Sequence, residues 1–269
     1  MIKFPGCKIN IGLNIVSKRN DGFHNLESIF YPIKWTDVLE VYPSTKTTLT
    51  VTGTDLQIPK EDNIVWKALQ LIKADYSIPN IEIILLKNLP NGAGLGGGSA
   101  NGSAMINLLN EQFELNIPIQ KRLEYASTLG SDCPFFIQPQ PTFVTGRGEN
   151  LRPIQLDLSK FKILIVNPGI HVSTPVAFAG IKPEKSNFNL SSLTKNTLPN
   201  WQSIVKNDFE NTVFKAQPQI QELKELILSK NPIYASMSGT GSSVYGIFKE
   251  LPNLNEFKKE NWSIYSGEL

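Results

Sequence analysis

The sequence predicts an α+β fold, and three observations carry that reading. A run near the N-terminus alternates apolar and polar residues with the period of a strand. A capped segment beginning near residue 62 has the 3.6-residue period of a helix. Strand-like and helix-like segments then follow one another in mixed order to the end of the chain.

Residues 8–16 place Ile9, Ile11, Leu13 and Ile15 on one face and Lys8, Asn10, Gly12 and Asn14 on the other, as a half-buried strand requires. A polar loop punctuated by Asp21-Gly22 comes next. Residues 37–42 and 47–52, rich in Val, Leu and Thr, read as two more strands. Asp62-Asn63 caps a helix carrying Ile64, Val65, Ala68, Leu69 and Ile72. Residues 81–86 form a short β-branched run that leads into a glycine-rich loop. From Ser99 to about residue 113 the pattern is helical, with Ala104, Met105, Leu108 and Leu109 on one face. Another helix starts at Pro118, a favoured first-turn residue, and ends before Gly130. The second half reads as a strand at 162–166, a proline-bearing loop, a polar stretch at 182–200, a helix around 219–228, a Ser-Gly-Thr-Gly loop and a strand at 243–248. A boundary near residue 150, after Gly146-Arg147-Gly148, divides the chain into 1–150 and 151–269.

Composition narrows the function classes. The chain has 269 residues, enough to bury a substantial core, and 41% hydrophobic residues, as expected for a globular protein. A net charge of +2 with no Lys/Arg stripe argues against a nucleic-acid partner. Neither a signal-peptide run nor a membrane-spanning segment is visible, so a cytoplasmic protein is expected. Cys7, Cys133, His24 and His171 offer neither a disulfide framework nor a metal-ligand spacing. No dedicated protein metal site is expected.

The most informative stretch is Leu89-Pro90-Asn91-Gly92-Ala93-Gly94-Leu95-Gly96-Gly97-Gly98-Ser99-Ala100. Phosphate oxygens need converging backbone N–H donors, which glycines allow to approach closely. A helix beginning at Ser99 adds its unpaired N–H groups and its dipole. The spacing Gly92-x-Gly94-x-x-Gly97 also satisfies the dinucleotide fingerprint of Rossmann oxidoreductases. That fingerprint wants a strand ending in an acidic residue about twenty positions on, whereas Glu111 and Glu114 fall at a helix end. The Walker pattern fails as well, because no Gly-Lys-Ser/Thr closes the loop. On the residues alone, Asp132 reads equally as a catalytic carboxylate and as a turn cap before Pro134.

Three blocks in order resemble the GHMP kinases, the superfamily of galactokinase, homoserine kinase and mevalonate kinase. They are the strand from Cys7 to Leu13, the glycine loop at residues 90–101, and the second glycine turn Met237-Ser238-Gly239-Thr240-Gly241-Ser242-Ser243. The Lys18-Arg19-Asn20-Asp21-Gly22-Phe23-His24 loop and the Leu129-Gly130-Ser131-Asp132-Cys133-Pro134 turn are similar to the branch that acts on a cytidyl substrate. Cys7 stands where alanine is usual in that branch, and Phe23 where many relatives carry tyrosine. The resemblance implies two α+β domains, an N-terminal one like a ribosomal-protein domain that binds ATP and a C-terminal ferredoxin-like one. It implies that ATP, arriving with Mg²⁺, phosphorylates the 2-hydroxyl of 4-diphosphocytidyl-2-C-methyl-D-erythritol in the non-mevalonate route to isoprenoid precursors. In that reading Asp132 is the base and Lys8 stabilises developing charge. Asn10 holds the alcohol or the Lys–Asp pair, and His24 reads the cytosine edge. Phe23 stacks, Thr174 and Phe178 bracket the cytidine, and Ser238, Gly239, Thr240 and Gly241 form the second turn. The nearest alternative acceptors are mevalonate and homoserine. Cys7 and Cys133, each beside a proposed catalytic residue, suggest sensitivity to thiol reagents.

Overall fold

The computed structural model describes residues 1–53, 58–186 and 188–269. Asn187, inside the polar stretch at 182–200, therefore lies outside the described residues. The chain opens with β1 (Ile2–Lys3), β2 (Gly6–Lys18), β3 (His24–Thr36), β4 (Val38–Pro43) and β5 (Thr48–Gly53). Helix α1 (Ile64–Asp75) and strand β6 (Ile81–Lys87) lead to α2 (Gly97–Gln112) and α3 (Ile119–Leu129). Strands β7 (Thr142–Gly146), β8 (Asn150–Pro153) and β9 (Lys162–Asn167) follow, then the short helices α4 (Thr174–Phe178) and α5 (Trp201–Ile204). Helices α6 (Phe209–Ala216) and α7 (Pro218–Leu228) precede β10 (Tyr234–Met237), β11 (Val244–Phe248) and β12 (Ser263–Glu268). The mixed order expected of an α+β protein is present.

Two compact units are assembled from interleaved segments. The first comprises Met1–Cys7, Trp35–Asn91 and Gly96–Pro139. Its sheet runs β1-β4-β6-β5, with β4 antiparallel and β5 parallel to β6. Period two turns Leu39 and Val41 of β4 and Ile81, Ile83 and Leu85 of β6 to the buried face. There they meet Val65, Ala68, Leu69 and Ile72 of α1 and Met105, Ile106, Leu108 and Leu109 of α2 in one apolar cluster. Truncating such a side chain to Ala costs about 2–5 kcal/mol. The cap of α1 falls on Asn63, whose side-chain oxygen accepts the Val65 N–H at 2.9 Å.

The second unit comprises Lys8–Lys34, Gly92–Leu95 and Gln140–Leu269. One sheet is ordered β2-β3-β7-β8 and another β10-β11-β9-β12. Ile163, Leu164, Ile165 and Val166 are all fully buried, the signature of a strand covered on both faces. Leu164, Val166, Met237 and Val244 share a core with Phe209 and Val213 of α6 and with Ile220, Leu223 and Ile227 of α7.

Strand β2 departs from the expected half-buried strand. It extends over 13 residues, and its polar members Lys8, Asn10 and Asn14 are only 4%, 2% and 6% exposed. For Lys8 and Asn10 the reason is local: protein donors, acceptors and a ring take the place of water on the polar face. Among the described residues no helix is long and apolar enough to cross a membrane.

Candidate active site

Lys8 and Asn10 lie two residues apart on β2 and so share a face. The Lys8 ammonium donates to Asn10 Oδ1 and, at 3.3 Å, to the Gly94 carbonyl, and it sits 4.6 Å from the centre of the Phe30 ring. Asn10 is held at every polar atom. Its Nδ2 donates to Ser28 Oγ at 2.9 Å, its N–H donates to Ser238 Oγ at 3.2 Å, and its carbonyl accepts from the Tyr245 hydroxyl at 2.8 Å. A cation at this position is oriented by a preorganised amide rather than swinging in solvent.

The same strand docks on one glycine turn, which in turn docks on the other. Lys8 N–H donates to the Leu95 carbonyl at 2.9 Å, and Ser243 N–H to that of Ala93 at 3.2 Å. Ser238 Oγ donates to the Gly94 carbonyl at 2.8 Å, so this fully buried hydroxyl is a strut between the two turns. Thr240, half-buried, is more open than its neighbours Ser238, Gly239 and Gly241. The second turn is fixed from behind by Asn207, whose Nδ2 donates to the carbonyls of Met237 (2.9 Å) and Gly239 (2.8 Å). Asn207 Oδ1 also accepts the Phe209 N–H at 3.0 Å at the start of α6; sequence reading missed the residue because its ties to the second turn are long-range.

In the first unit, helix α2 begins at Gly97, two residues earlier than the expected Ser99. Gly96 takes the left-handed conformation (φ 72°, ψ 17°) and turns the chain directly into the helix. Gly97, Gly98 and Ser99 therefore form its first turn, where backbone N–H groups lack intrahelical acceptors. A Cβ built on Gly98 would meet nothing within 4 Å among the described residues. The helix start thus presents open space beside unpaired donors, the arrangement an anionic phosphate needs. The strand that follows α2 and α3, β7, belongs to a different sheet from β6, so no parallel βαβ unit spans this loop, which removes the dinucleotide-binding alternative.

Asp132 precedes the helical turn Cys133–Ile137, but its side chain makes no capping hydrogen bond to it. The turn-cap reading of this residue is therefore not what the geometry shows. The turn itself is anchored to α2, with Ser103 Oγ donating to the Cys133 carbonyl at 2.7 Å and Asn107 Nδ2 to that of Ile137 at 3.0 Å. Cys7 and Cys133 are both buried. Burial is also the main reason the Cys133 thiol is pushed up to about 11, with the Asp132 carboxylate adding to it. Both facts oppose the thiol sensitivity expected from sequence.

The Asp21-Gly22 turn closes the β2–β3 hairpin, with Arg19 N–H donating to the Phe23 carbonyl at 2.8 Å. Arg19 pairs with Asp21 at 3.0 Å and steadies the turn. At its exit His24 stacks on Phe178, with ring centroids 4.8 Å apart and 25° between planes. Phe178 also meets Phe209 edge-on at 4.7 Å. The structure thus brings together His24 and Phe178, which are far apart in sequence, and the ring that Phe178 stacks on is His24. Phe23 does not join them: it is 55% exposed, with the Arg147 guanidinium 5.0 Å from its ring centre. Thr174 is exposed at the start of α4.

Residues 63–139 match the family model described as GHMP kinases N terminal domain, and residues 189–262 match GHMP kinases C terminal. Over the full chain the protein is similar to curated bacterial enzymes named 4-diphosphocytidyl-2-C-methyl-D-erythritol kinase. The relative from Parabacteroides distasonis is 44% identical over 95% of this chain and 94% of its own. That from Bacteroides fragilis (strain ATCC 25285) is 42% identical over 100% of both. Among solved structures, a crystal structure of 4-(cytidine 5'-diphospho)-2C-methyl-D-erythritol kinase superposes with a TM-score of 0.79 at 26% identity, covering 92% of this chain and 90% of that one. A homoserine kinase from Cytophaga hutchinsonii shares the fold at a TM-score of 0.65 and 17% identity, covering 98% of this chain and 95% of that one.

Proposed function

We propose that this chain, which belongs to the GHMP kinases, transfers the γ-phosphoryl group of ATP to the 2-hydroxyl of 4-diphosphocytidyl-2-C-methyl-D-erythritol. The products are the 2-phosphate and ADP, and the reaction serves the non-mevalonate route to isoprenoid precursors. The observation that carries the reading is the buried Lys8 ammonium, fixed between Asn10 and the glycine turn at Gly94 on the same hairpin whose far end presents His24. One hairpin then supplies a charge for the reacting end of the acceptor and a reader for its base.

In this mechanism the Asp132 carboxylate takes the proton of the 2-hydroxyl as the new O–P bond forms and the bond from Pγ to the bridging oxygen of ADP breaks. Lys8 lowers the pKa of that hydroxyl and stabilises the negative charge that develops on it. Residues Pro90, Asn91, Gly92, Ala93, Gly94, Leu95, Gly96, Gly97, Gly98, Ser99 and Ala100 cradle the phosphates. Mg²⁺ would arrive with the nucleotide and would offset phosphate charge there, without a dedicated protein site. The His24 imidazole, donor on one nitrogen and acceptor on the other, reads the cytosine edge. Phe178 holds that imidazole in place, Thr174 lines the cytidine, and the open face of Phe23 stacks on the base. We assign ATP binding to domain 1–150 and place 151–269 as the second domain of a cytoplasmic enzyme with no nucleic-acid or membrane partner.

Product identity tests the proposal. Carbon 2 of the acceptor bears a methyl group and no hydrogen, so phosphorylation there gives a ³¹P phosphomonoester resonance without three-bond coupling to a carbinol proton. A proton-coupled resonance would place the phosphate on another hydroxyl and refute the assignment. Asp132→Asn is expected to abolish turnover while retaining ADP binding; turnover near wild type would remove Asp132 as the base.

A further inference from the structure

We infer that Asp37 is the positioning residue of the ATP loop: its one carboxylate ties together the two ends of the 90–96 segment. Asp37 lies between β3 and β4 and is completely buried. Its Oδ1 accepts the backbone N–H groups of Asn88 at 2.7 Å and Leu89 at 2.8 Å, the two residues that follow β6. Its Oδ2 accepts Asn101 Nδ2 at 2.8 Å, from the early turns of α2, and the Lys87 ammonium. The Leu89 side chain then packs beside Gly97, where an added Cβ would stand 3.1 Å from it. The strand that enters the loop and the helix that leaves it are therefore both held to one rigid group.

The choice of side chain follows from the donors. Two backbone N–H groups, an amide and an ammonium converge from different directions, and an ionised carboxylate offers lone pairs to all of them. Lys87 is present for charge balance. Strand parity places it on the buried face with Ile81, Ile83 and Leu85, where its ammonium offsets the buried carboxylate. A phosphate gains from loop N–H groups only if they stand where its oxygens arrive, so fixing both loop ends reduces the ordering left for ATP to impose.

The inference rests on residues 90–99 being the ATP loop. Removing Asp37 alone would take the carboxylate away from the buried Lys87 charge and destabilise the protein strongly, so the test compares two charge-neutral pairs. Asp37→Asn with Lys87→Met keeps a carbonyl acceptor for Asn88 and Leu89, and its new amide can donate to Asn101 Oδ1, which is buried without a partner among the described residues, once the Asn101 amide flips. Asp37→Leu with Lys87→Met is equally uncharged but has no acceptor. The KM for ATP is expected to be more than tenfold higher in the leucine pair than in the asparagine pair, with the KM for the acceptor alcohol equal within twofold. A merely structural role would lower the active fraction, and hence kcat, without moving KM. Equal ATP KM values in the two pairs would overturn the inference while leaving the loop assignment standing. That assignment is read separately in the wild type, where ADP should slow amide exchange at Gly97, Gly98 and Ser99; no slowing there would overturn the loop assignment itself.

Discussion

Gly94 has φ +76°, and a Cβ added to it would stand 2.0 Å from the Ser238 carbonyl oxygen and 3.1 Å from that of Gly241. Gly94→Ala must therefore part the two glycine turns as well as enter the left-handed region, which alone costs about 1–2 kcal/mol. A fall in thermal midpoint of at least about 4 °C is expected, and an unchanged midpoint would contradict the contact. The Cys133 thiol illustrates the opposite case, an apparently reactive residue made inert. Its rise from 9.0 to about 11 makes the native thiolate fraction at pH 8 about a hundredfold smaller than in the unfolded chain. Iodoacetamide should label Cys133 in native protein at least that much more slowly than in urea-unfolded protein, read by peptide mapping; equal rates would refute the burial. The linkage has a sign. A raised value means this thiol's contribution to stability is complete below about pH 9 and is lost as pH climbs through about 11. At this scale legibility depended on local pattern. Lys8 and Asn10 were exposed to view by alternation on one strand. Asp37 was not, because the partners of its carboxylate lie 50 to 64 residues away in sequence, and the tie from Asn207 Nδ2 to the second turn was not, because it spans 30 and 32 residues. Lys87 left a usable signal, a charge at an inward position of β6.

Helix α2 shows how an element creates a site that no single residue contains. Glycine is a poor helix former, costing about 0.5–1 kcal/mol relative to Ala, yet Gly97 and Gly98 occupy its first turn. Packing explains Gly97, which Leu89 crowds; among the described residues nothing crowds Gly98. Gly98→Ala separates folding from binding for that reason. It should leave the thermal midpoint equal to or above wild type while raising the KM for ATP at least tenfold, because the methyl enters the space assigned to phosphate. An unchanged KM would mean that phosphate does not lie there. Helix α1 was readable from its period and its cap, α3 from Pro118 at its start and Gly130 beyond its end, and β6 from its short β-branched run. Strand β3 was not, since Pro32 interrupts it and Glu27, Ser28 and Lys34 dilute its apolar face; its pairing with β7 supplies what local pattern lacks. The late start expected for α2 came from treating its glycines as loop, when Gly96 alone makes the turn.

For the whole molecule, composition and charge excluded classes but chose no substrate. The glycine loop by itself suits any nucleotide, and the shared fold of a homoserine kinase at 17% identity shows that architecture does not name the acceptor either. The acceptor is argued from what the β2–β3 hairpin carries, with Lys8 and Asn10 toward one end and His24 at the other, and from full-length likeness to relatives of one stated activity. Measuring ADP release in a coupled assay, with 4-diphosphocytidyl-2-C-methyl-D-erythritol, mevalonate and homoserine supplied side by side, tests this most directly. Turnover with the cytidyl substrate and none above background with the other two is the predicted result. Turnover with mevalonate or homoserine alone would contradict the account.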